Sequence, residues 1–284
     1  VYNRLNFYGG IFMKNSKKIF GLFAFLLICG NVNASTSLVG APEEYPGIKY
    51  DYNNVNDSLP FFNFSENLSN GGNYIRVGEN SKLNINSNLN IDLKSNIVSL
   101  LLPHVYGNVV GFGAYGTNNG APTVNAKNVK IKVEVGASDE FNAPMGMAIH
   151  NGANYLGEDI DINLITSSRP EGHDIIGLGY GTNDENVTRP YKSEMNVNNV
   201  NIKIQNNQVL TTNYGDNLLI GLWQWGDKNQ NAHFISRGNL NIDINDKSDK
   251  AQYHAAAGII VAGENGAKMT LNNSNIKIKS VADN

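Results

Sequence analysis

A short segment of alternating apolar and polar residues recurs along the chain and constrains its fold more than any other feature. The apolar positions carry Ile, Val or Leu, and successive copies begin about 31 to 40 residues apart. The copies are residues 89–93, 129–133, 160–164, 200–204, 240–244 and 276–278. Alternation with a period of two predicts a half-buried strand in each copy. Repetition at this period is typical of solenoids, whose stacked units bury a shared interior.

Two further short segments accompany most copies. One lies just upstream, as at residues 83–85, 195–197 and 269–271, and is joined to the main segment by an Asn-rich corner. The other lies between successive copies and places glycine among apolar residues, at 110–113, 145–148, 176–179, 220–223 and 257–260. Three strands per repeat, with no helical pattern between them, predict an all-β chain that folds as a right-handed, three-sided parallel β-helix.

Stacked coils make a prediction about columns of outward side chains, because equivalent positions lie one strand spacing apart, about 4.8 Å. The first outward column is predicted to be rich in amides, which repeated stacking favours: Asn90, Lys130, Asp161, Asn201, Asn241 and Asn275. The second is predicted to hold Asp92, Lys132, Asn163, Lys203, Asp243 and Lys277. No two like charges are neighbours in this second column, which is favourable across strands.

The composition fits this interpretation and excludes others. The 284 residues include 47 Asn and 29 Gly, whereas only 17% are charged. Asn and Gly disfavour helix interiors, which excludes a coiled coil or helical bundle, and the frequent apolar residues exclude a charge-rich disordered chain. Asn tolerates left-handed backbone angles, so we expect it at the corners of the coils for that reason.

Residues 13–34 resemble a secretory signal peptide. They have a basic start, an apolar run of about eleven residues and small residues before a possible cleavage site. We predict cleavage between Ala34 and Ser35. A lipoprotein signal with Cys29 as the modified residue is the alternative, although Ile28 is large for such a site. Residues 1–12 fit no part of a signal, and we interpret them as an upstream extension, with translation starting at Met13.

Removal of the signal changes the charge and the cysteine content. Residues 1–34 hold four basic residues and no acidic one, so the mature chain is more negative than the formal net charge of −3, and we expect no nucleic acid partner. The single cysteine is also removed with the signal.

Residues 35–72 do not repeat and are rich in Tyr and Phe, so we expect an N-terminal cap there. Residues 73–284 are the predicted β-helix, which we expect to be truncated at its C-terminus.

The Asn-rich alternating strands, the glycine-bearing strand, the signal and the absence of cysteine from the mature chain together resemble the passenger regions of Gram-negative autotransporters, the pertactin-like and adhesin-like β-helices. The resemblance implies export through the Sec machinery, a β-barrel translocator in cis or in trans, and a location on the cell surface, in the outer membrane or outside the cell. It implies adhesion as the function and no cofactor. The chain departs from the family because no translocator follows residue 284 in this sequence.

Several motifs are candidates for a nucleotide-binding, metal-binding or catalytic site, and each has a simpler structural explanation. Residues 111–116 spell GxGxxG, but a turn follows where a nucleotide-binding site needs a helix, so we expect tight packing there. The five histidines are dispersed, and we predict no metal site. They are His104, His150, His173, His233 and His254. The acidic pairs Asp159/Asp161 and Asp243/Asp246 leave open a glycosidase or lyase, although a solubilising face explains them as well.

Aromatic residues in the third strand are the candidates for surface contact. Trp223 and Trp225 are two residues apart and are predicted to share one face of their strand, opposite to Leu222 and Gln224. That face can be exposed, or the indoles can pack in the interior or under a loop. Tyr115 and Tyr180 fall near equivalent positions. Exposed rings on a solenoid can contact a host or bacterial surface protein or glycan. We therefore expect an exported adhesin without catalytic residues; the alternatives are an exported β-helical polysaccharide-active enzyme and a gene fragment without function.

Overall fold

The computed structural model describes residues 50–53, 56–59, 62–68, 73–95, 107–136, 142–167, 174–181, 187–207, 218–226, 229–247, 255–263 and 266–280. Its strands are β1 (Tyr50–Asn53), β2 (Asn56–Leu59), β3 (Phe62–Leu68), β4 (Asn73–Gly78), β5 (Lys82–Ser95), β6 (Gly107–Tyr115), β7 (Thr123–Val135), β8 (Asn142–His150), β9 (Asn154–Thr166), β10 (Ile175–Gly181), β11 (Tyr191–Val197), β12 (Asn199–Asn206), β13 (Leu218–Trp225), β14 (Gln230–Asp246), β15 (Ala255–Ala262) and β16 (Ala267–Ser280).

These strands form two sheets in which every pairing between named strands is parallel. Sheet A has the order β1, β4, β6, β8, β10, β13, β15. Sheet B begins with β2 and β3, which both pair with β5, and continues through β7, β9, β11 and β12, β14 and β16. The chain passes from one sheet to the other and back, so each pass stacks on the one before. This is a parallel β-solenoid and confirms the predicted fold class; its right hand and its three sides stay predictions.

Within the described residues, no helix reaches the length and apolarity that crossing a membrane requires.

The long strands of sheet B consist of two arms that meet at a corner. In β7, Ala126 and Val129 are both buried, and Lys127 and Asn128 between them are not. A regular strand buries every second residue, so the alternation changes phase at this point. The pairing register also shifts at the equivalent place between β5 and β7 and between β14 and β16. The upstream and main segments seen in the sequence are therefore two arms of one strand, except that Asn198 separates β11 from β12.

The register of sheet B confirms both predicted columns. Each residue of the first column pairs with the next one along the stack, and so does each residue of the second. In the first column, Asn241 Nδ2 donates to Asn201 Oδ1 at 2.8 Å. In the second, Lys132 Nζ lies 3.7 Å from Asp92 Oδ1. The inward residues between these columns, Ile131 and Ile162 among them, are at most 2% exposed and form the core.

Asparagine also forms a ladder along the corner itself, with one residue from each coil: Asn88, Asn128, Asp159, Asn199, Asn239 and Asn273. Asn128 Nδ2 donates to Asn88 Oδ1 at 3.0 Å, and Asn273 Nδ2 donates to Asn239 Oδ1 at 2.8 Å. Our expectation of left-handed corners was wrong, because the non-glycine residues with positive φ in the described chain are Glu79 and Asn151. Asparagine occupies the corner because its amide both donates and accepts along the stack.

One interior column of sheet A consists of glycine, because a side chain at these positions would lie too close to neighbouring atoms. The column contains Gly111, Gly146, Gly177, Gly221 and Gly258, whose nearest side-chain neighbours are Ile131, Ile162, Ile202, Ile242 and Ile276 of the facing arms. For the first four glycines, an added methyl group would lie 2.5 to 2.8 Å from the carbonyl oxygen of the next glycine in the column. Sheet A therefore approaches the isoleucine column of sheet B so closely that a side chain has no room.

The segment predicted as a cap already follows the path of a coil. Strand β1 pairs with β4 in sheet A, and β2 and β3 pair with β5 in sheet B, all in parallel. Its alternating aromatic residues, such as Phe62 and Phe64, take register positions equivalent to Leu89 and Ile91. Strands β1, β2 and β3 thus stack on β4 and β5 as a further coil, while the role of the segment as a cap stays a prediction.

A small ion-pair network lies on the outward columns of β5 and β7. Lys94 Nζ lies 3.2 Å from Glu134 Oε1, and Lys132 Nζ lies 3.3 Å from Glu134 Oε2. The hydrogen bond from Lys94 lowers the pKa of Glu134, and that from Lys132 adds to the effect against the opposing contribution of burial. The carboxylate therefore stays ionised at pH values where an ordinary Glu is partly protonated. The lysines are about half exposed, so the network contributes little to stability.

Candidate surface-binding site

The two tryptophans of the chain lie on the outer face of β13. Trp223 and Trp225 are half-buried, whereas Leu222 and Gln224 are fully buried in the interior. Gln224 Nε2 donates to the carbonyl oxygen of Ala232 at 2.8 Å, which fixes this polar side chain inside. The shared face of both indoles, predicted from their spacing, is confirmed, and it is the outer face of the strand.

Four rings form a continuous row across sheet A, which we call the aromatic row: Tyr115, His150, Trp223 and Trp225. Tyr115 of β6 stacks on His150 of β8 with ring centroids 5.9 Å apart and an interplanar angle of 9°. His150 meets Trp223 at 6.4 Å, and Trp223 meets Trp225 edge to face at 6.2 Å. These are the offset and tilted arrangements that aromatic pairs prefer. The row therefore spans β6 to β13, with three half-buried rings and a buried His150.

Glycines make room for this row. A methyl group on Gly113 would lie 2.9 Å from Cζ of Tyr115, and one on Gly179 would lie 2.9 Å from Nε2 of His150. Both rings thus lie directly over backbone. Strand β10 places Gly179 and Gly181 in register with Trp223 and Trp225, so it adds no side chain between His150 and the indoles.

An apolar strip on the same outer face supports the aromatic row. Val110, Met145, Ala148, Ile176 and Ile220 belong to it and are at most 5% exposed. Tyr115 and Trp223 pack against this strip from one side. The strip is already covered, so the apolar surface that remains accessible at the row consists mainly of the rings themselves.

The structure contradicts our assignment of Tyr180 to the surface. Tyr180 is 1% exposed and lies inside, where its ring packs against Phe234 and its hydroxyl lies 3.0 Å from Ser193 Oγ. Burial raises the pKa of Tyr180, and the Ser193 hydrogen bond opposes that shift. The register explains the error: Tyr115 and Gly181 both align with His150, so Tyr180 is one residue short of the equivalent position and faces the other way.

Arg76 lies at the end of the row on β4. Its neighbours Ile75 and Val77 are fully buried, so its half-buried side chain is on the outer face. Arg76 pairs in register with Gly113, the glycine beneath the Tyr115 ring. Its side chain makes no hydrogen bond or ion pair with another described residue. On the other side, Asp51 of β1 occupies the register position opposite to Arg76.

The other described arginines, Arg189 and Arg237, stabilise the fold by donating to backbone carbonyl oxygens. Arg189 Nη2 donates to the carbonyl oxygen of Asn151 at 2.9 Å and Nε donates to that of Thr117, while its guanidinium lies 5.4 Å from the Tyr191 ring centroid. This side chain ties the turns after β6 and β8 to the segment before β11. Arg237 Nη2 donates to the carbonyl oxygen of Gly157 at 3.0 Å.

The acidic pairs do not form a paired-carboxylate site. Asp246 is 2% exposed in the interior and accepts from Asn206 Nδ2 at 3.1 Å, whereas Asp243 belongs to an outward column. Asp159 accepts from Asn199 Nδ2 at 2.9 Å within the corner ladder. Asp161 is exposed in the first outward column. These carboxylates therefore have structural or solvent-facing positions.

The described histidines are separated. His150 belongs to sheet A, and His233 belongs to sheet B, where its Nε2 lies 2.9 Å from Thr270 Oγ1. Burial lowers the pKa of His233, with a smaller contribution from Lys268. Among the residues that the structure describes, no group of three or more His, Cys, Asp or Glu is arranged to hold a metal ion. His104, His173 and His254 lie outside the described residues, as do Ala34 and Ser35.

Sequence reasoning missed His150 and Arg76. Both are found only through the pairing of coils, because neither the length of the intervening loops nor the alternation of one strand shows which residues become neighbours.

Comparison of the chain with known proteins gives no significant match to a family model, to a curated protein or to a solved structure. The function is therefore argued from the geometry and the sequence pattern.

Proposed function

We propose that this protein is an exported, noncatalytic binding protein that contacts a protein or glycan on a host or bacterial surface through the outer face of sheet A. The observation that carries the proposal is the aromatic row, whose three half-buried rings stand on an apolar strip that is already covered. Rings in this position offer contact area at little cost in conformational entropy. The described arginines and carboxylates that form hydrogen bonds stabilise turns, corners and columns.

The proposal includes export as an autotransporter passenger. It is supported by the signal pattern of residues 13–34 and by a stacked parallel solenoid whose long faces are suited to surface contact. Such a passenger would use the Sec machinery and a translocator in cis or in trans, and it would act at the cell surface or outside a Gram-negative cell.

We expect export to be visible as cleavage after Ala34. When the gene is expressed in a Gram-negative host, mass spectrometry of the exported chain should give Ser35 as the first residue. Ala34→Leu should leave the precursor uncleaved, because signal peptidase needs a small residue at that position. Ser37→Leu makes a similar change beyond the cut and should be processed normally. Recovery of the protein in the cytoplasm, with residues 13–34 still attached, would refute export.

We expect the tryptophans to dominate surface binding. The labelled full chain should bind cultured epithelial cells or Gram-negative cells, and the double change Trp223→Ala/Trp225→Ala should weaken this binding by roughly tenfold or more, because two contact rings are lost. Leu156→Ala is the matched control: Leu156 is 53% exposed on β9 of sheet B, away from the row. Flow cytometry measures both. Binding that is absent, or equal for the double variant and the wild type, would contradict the proposal.

A further inference from the structure

We propose that the aromatic row, with Arg76 at its end, binds a neutral oligosaccharide in an extended conformation. The inference rests on the proposed function and names the ligand class of the same site. The row, the net charge of the chain and the small apolar area left accessible each support this choice over other ligands.

The dimensions of the row fit a chain of sugar rings better than one sugar. The row and Arg76 extend across the strands, from β4 through β6, β8 and β10 to β13. Four steps at the usual strand spacing give a length of about 19 Å. Its rings come from three strands, and the glycines of β10 add no side chain between His150 and the indoles. A linear ligand lying across the strands meets Arg76, Tyr115 and the two indoles in that order.

The chemistry of the row fits pyranose rings. A sugar ring has an apolar C–H face that packs on an aromatic ring, and its edge carries hydroxyl groups that need polar partners. Tyr115 and the indoles supply half-buried aromatic rings that carry a phenol hydroxyl and indole N–H groups. Arg76 adds guanidinium donors that have no partner among the described residues.

The net charge of the chain favours a neutral ligand over an acidic one. The chain as a whole has a formal net charge of −3. A carboxylate on the ligand would gain from Arg76 but would be repelled by this background, whereas hydroxyl groups accept hydrogen bonds from the guanidinium without that penalty.

The small accessible area disfavours a protein as the direct ligand of the row. Stable protein interfaces bury about 800 Å² per partner around an apolar centre. Here Val110, Met145, Ile176 and Ile220, which would supply such a centre, are already at most 5% exposed. The rings alone suit a narrow ligand that binds by stacking.

Intrinsic fluorescence tests this inference directly, because the chain has two tryptophans and both belong to the row. The purified full chain is titrated with cellotetraose, chitotetraose and tetragalacturonic acid. We expect at least one neutral tetrasaccharide to change the tryptophan emission saturably and to bind at least tenfold more tightly than the acidic one. Isothermal titration calorimetry gives the affinities independently of the fluorophores.

Variants separate binding from folding. Arg76→Gln, at a half-exposed position, should weaken neutral oligosaccharide binding by roughly threefold to tenfold with an unchanged circular dichroism spectrum, since hydrogen bonds to a charged donor are lost. Trp225→Ala should weaken it by roughly tenfold, and Trp225→Phe should restore part of the loss because a ring returns. Leu156→Ala should bind like the wild type.

The outcomes distinguish this inference from the proposed function. Failure of both neutral tetrasaccharides to bind, or tighter binding of tetragalacturonic acid, overturns the inference. If cells are still bound in a manner that depends on Trp223 and Trp225, the proposed function stands and a protein ligand replaces the glycan. If neither cells nor oligosaccharides are bound, both proposals fail.

Discussion

Gly221→Ala should lower the free energy of unfolding by about 1–3 kcal/mol, the usual cost of forcing an extra methyl group into a packed interior. The added carbon would lie 2.5 Å from Cγ2 of Ile242 and 2.6 Å from the carbonyl oxygen of Gly258. Ile242 is 2% exposed and cannot move into solvent. The carbonyl belongs to β15, which pairs with β13, so displacing it strains the parallel ladder. Urea unfolding followed by far-ultraviolet circular dichroism measures the change.

Gly258→Ala provides a matched control in the same column. The three atoms nearest to its added methyl group all belong to the side chain of Ile276, which is 43% exposed and can rotate away. Alanine also reduces the entropy of the unfolded chain, which offsets part of any cost. We expect a loss clearly smaller than that of Gly221→Ala, because a partly exposed side chain yields more easily than the backbone carbonyl of a neighbouring coil. Equal losses for Gly221→Ala and Gly258→Ala would show that close approach of the next backbone is not the cause.

The contrast between these glycines shows what the sequence predicts and what it does not. Alternation is a local property, so the strands, the columns and the shared face of Trp223 and Trp225 were predictable. The reason for the glycines was not, because it depends on Ile242 of the facing arm. The corner asparagines were placed correctly for the wrong reason, since the structure uses their amides between coils and not their backbone freedom.

The candidate site shows the same limit more sharply. Tyr180 and Tyr115 occupy similar places in the sequence pattern, yet they differ by one residue in register, and one residue reverses the face. His150 joins the aromatic row only because it pairs with Tyr115 across a loop and a long strand. Pairing between coils is set by stacking over the whole repeat, so a single strand does not contain that information.

Phe234→Ala should cause the largest loss of stability, about 3–5 kcal/mol, because it removes a fully buried ring and leaves a cavity that the coils cannot close. Phe234 is 0% exposed, and its centroid lies 6.3 Å from that of Tyr180 on the facing sheet. It stacks between Met195 and Met269 of neighbouring coils, so the cavity would interrupt the core of three coils.

Two further variants identify the cause of that loss. Phe234→Leu keeps most of the volume and should lose clearly less stability, while Leu156→Ala removes a side chain that is 53% exposed and should change it by less than about 0.5 kcal/mol. A double-mutant cycle between Phe234→Leu and Tyr180→Leu should give a coupling of about 0.5–1.5 kcal/mol from the ring contact. Unfolding of the wild type and of each variant in urea gives these values. If Phe234→Ala and Leu156→Ala lost the same small amount, the interior would not be packed around Phe234, because the cost of a cavity depends on burial.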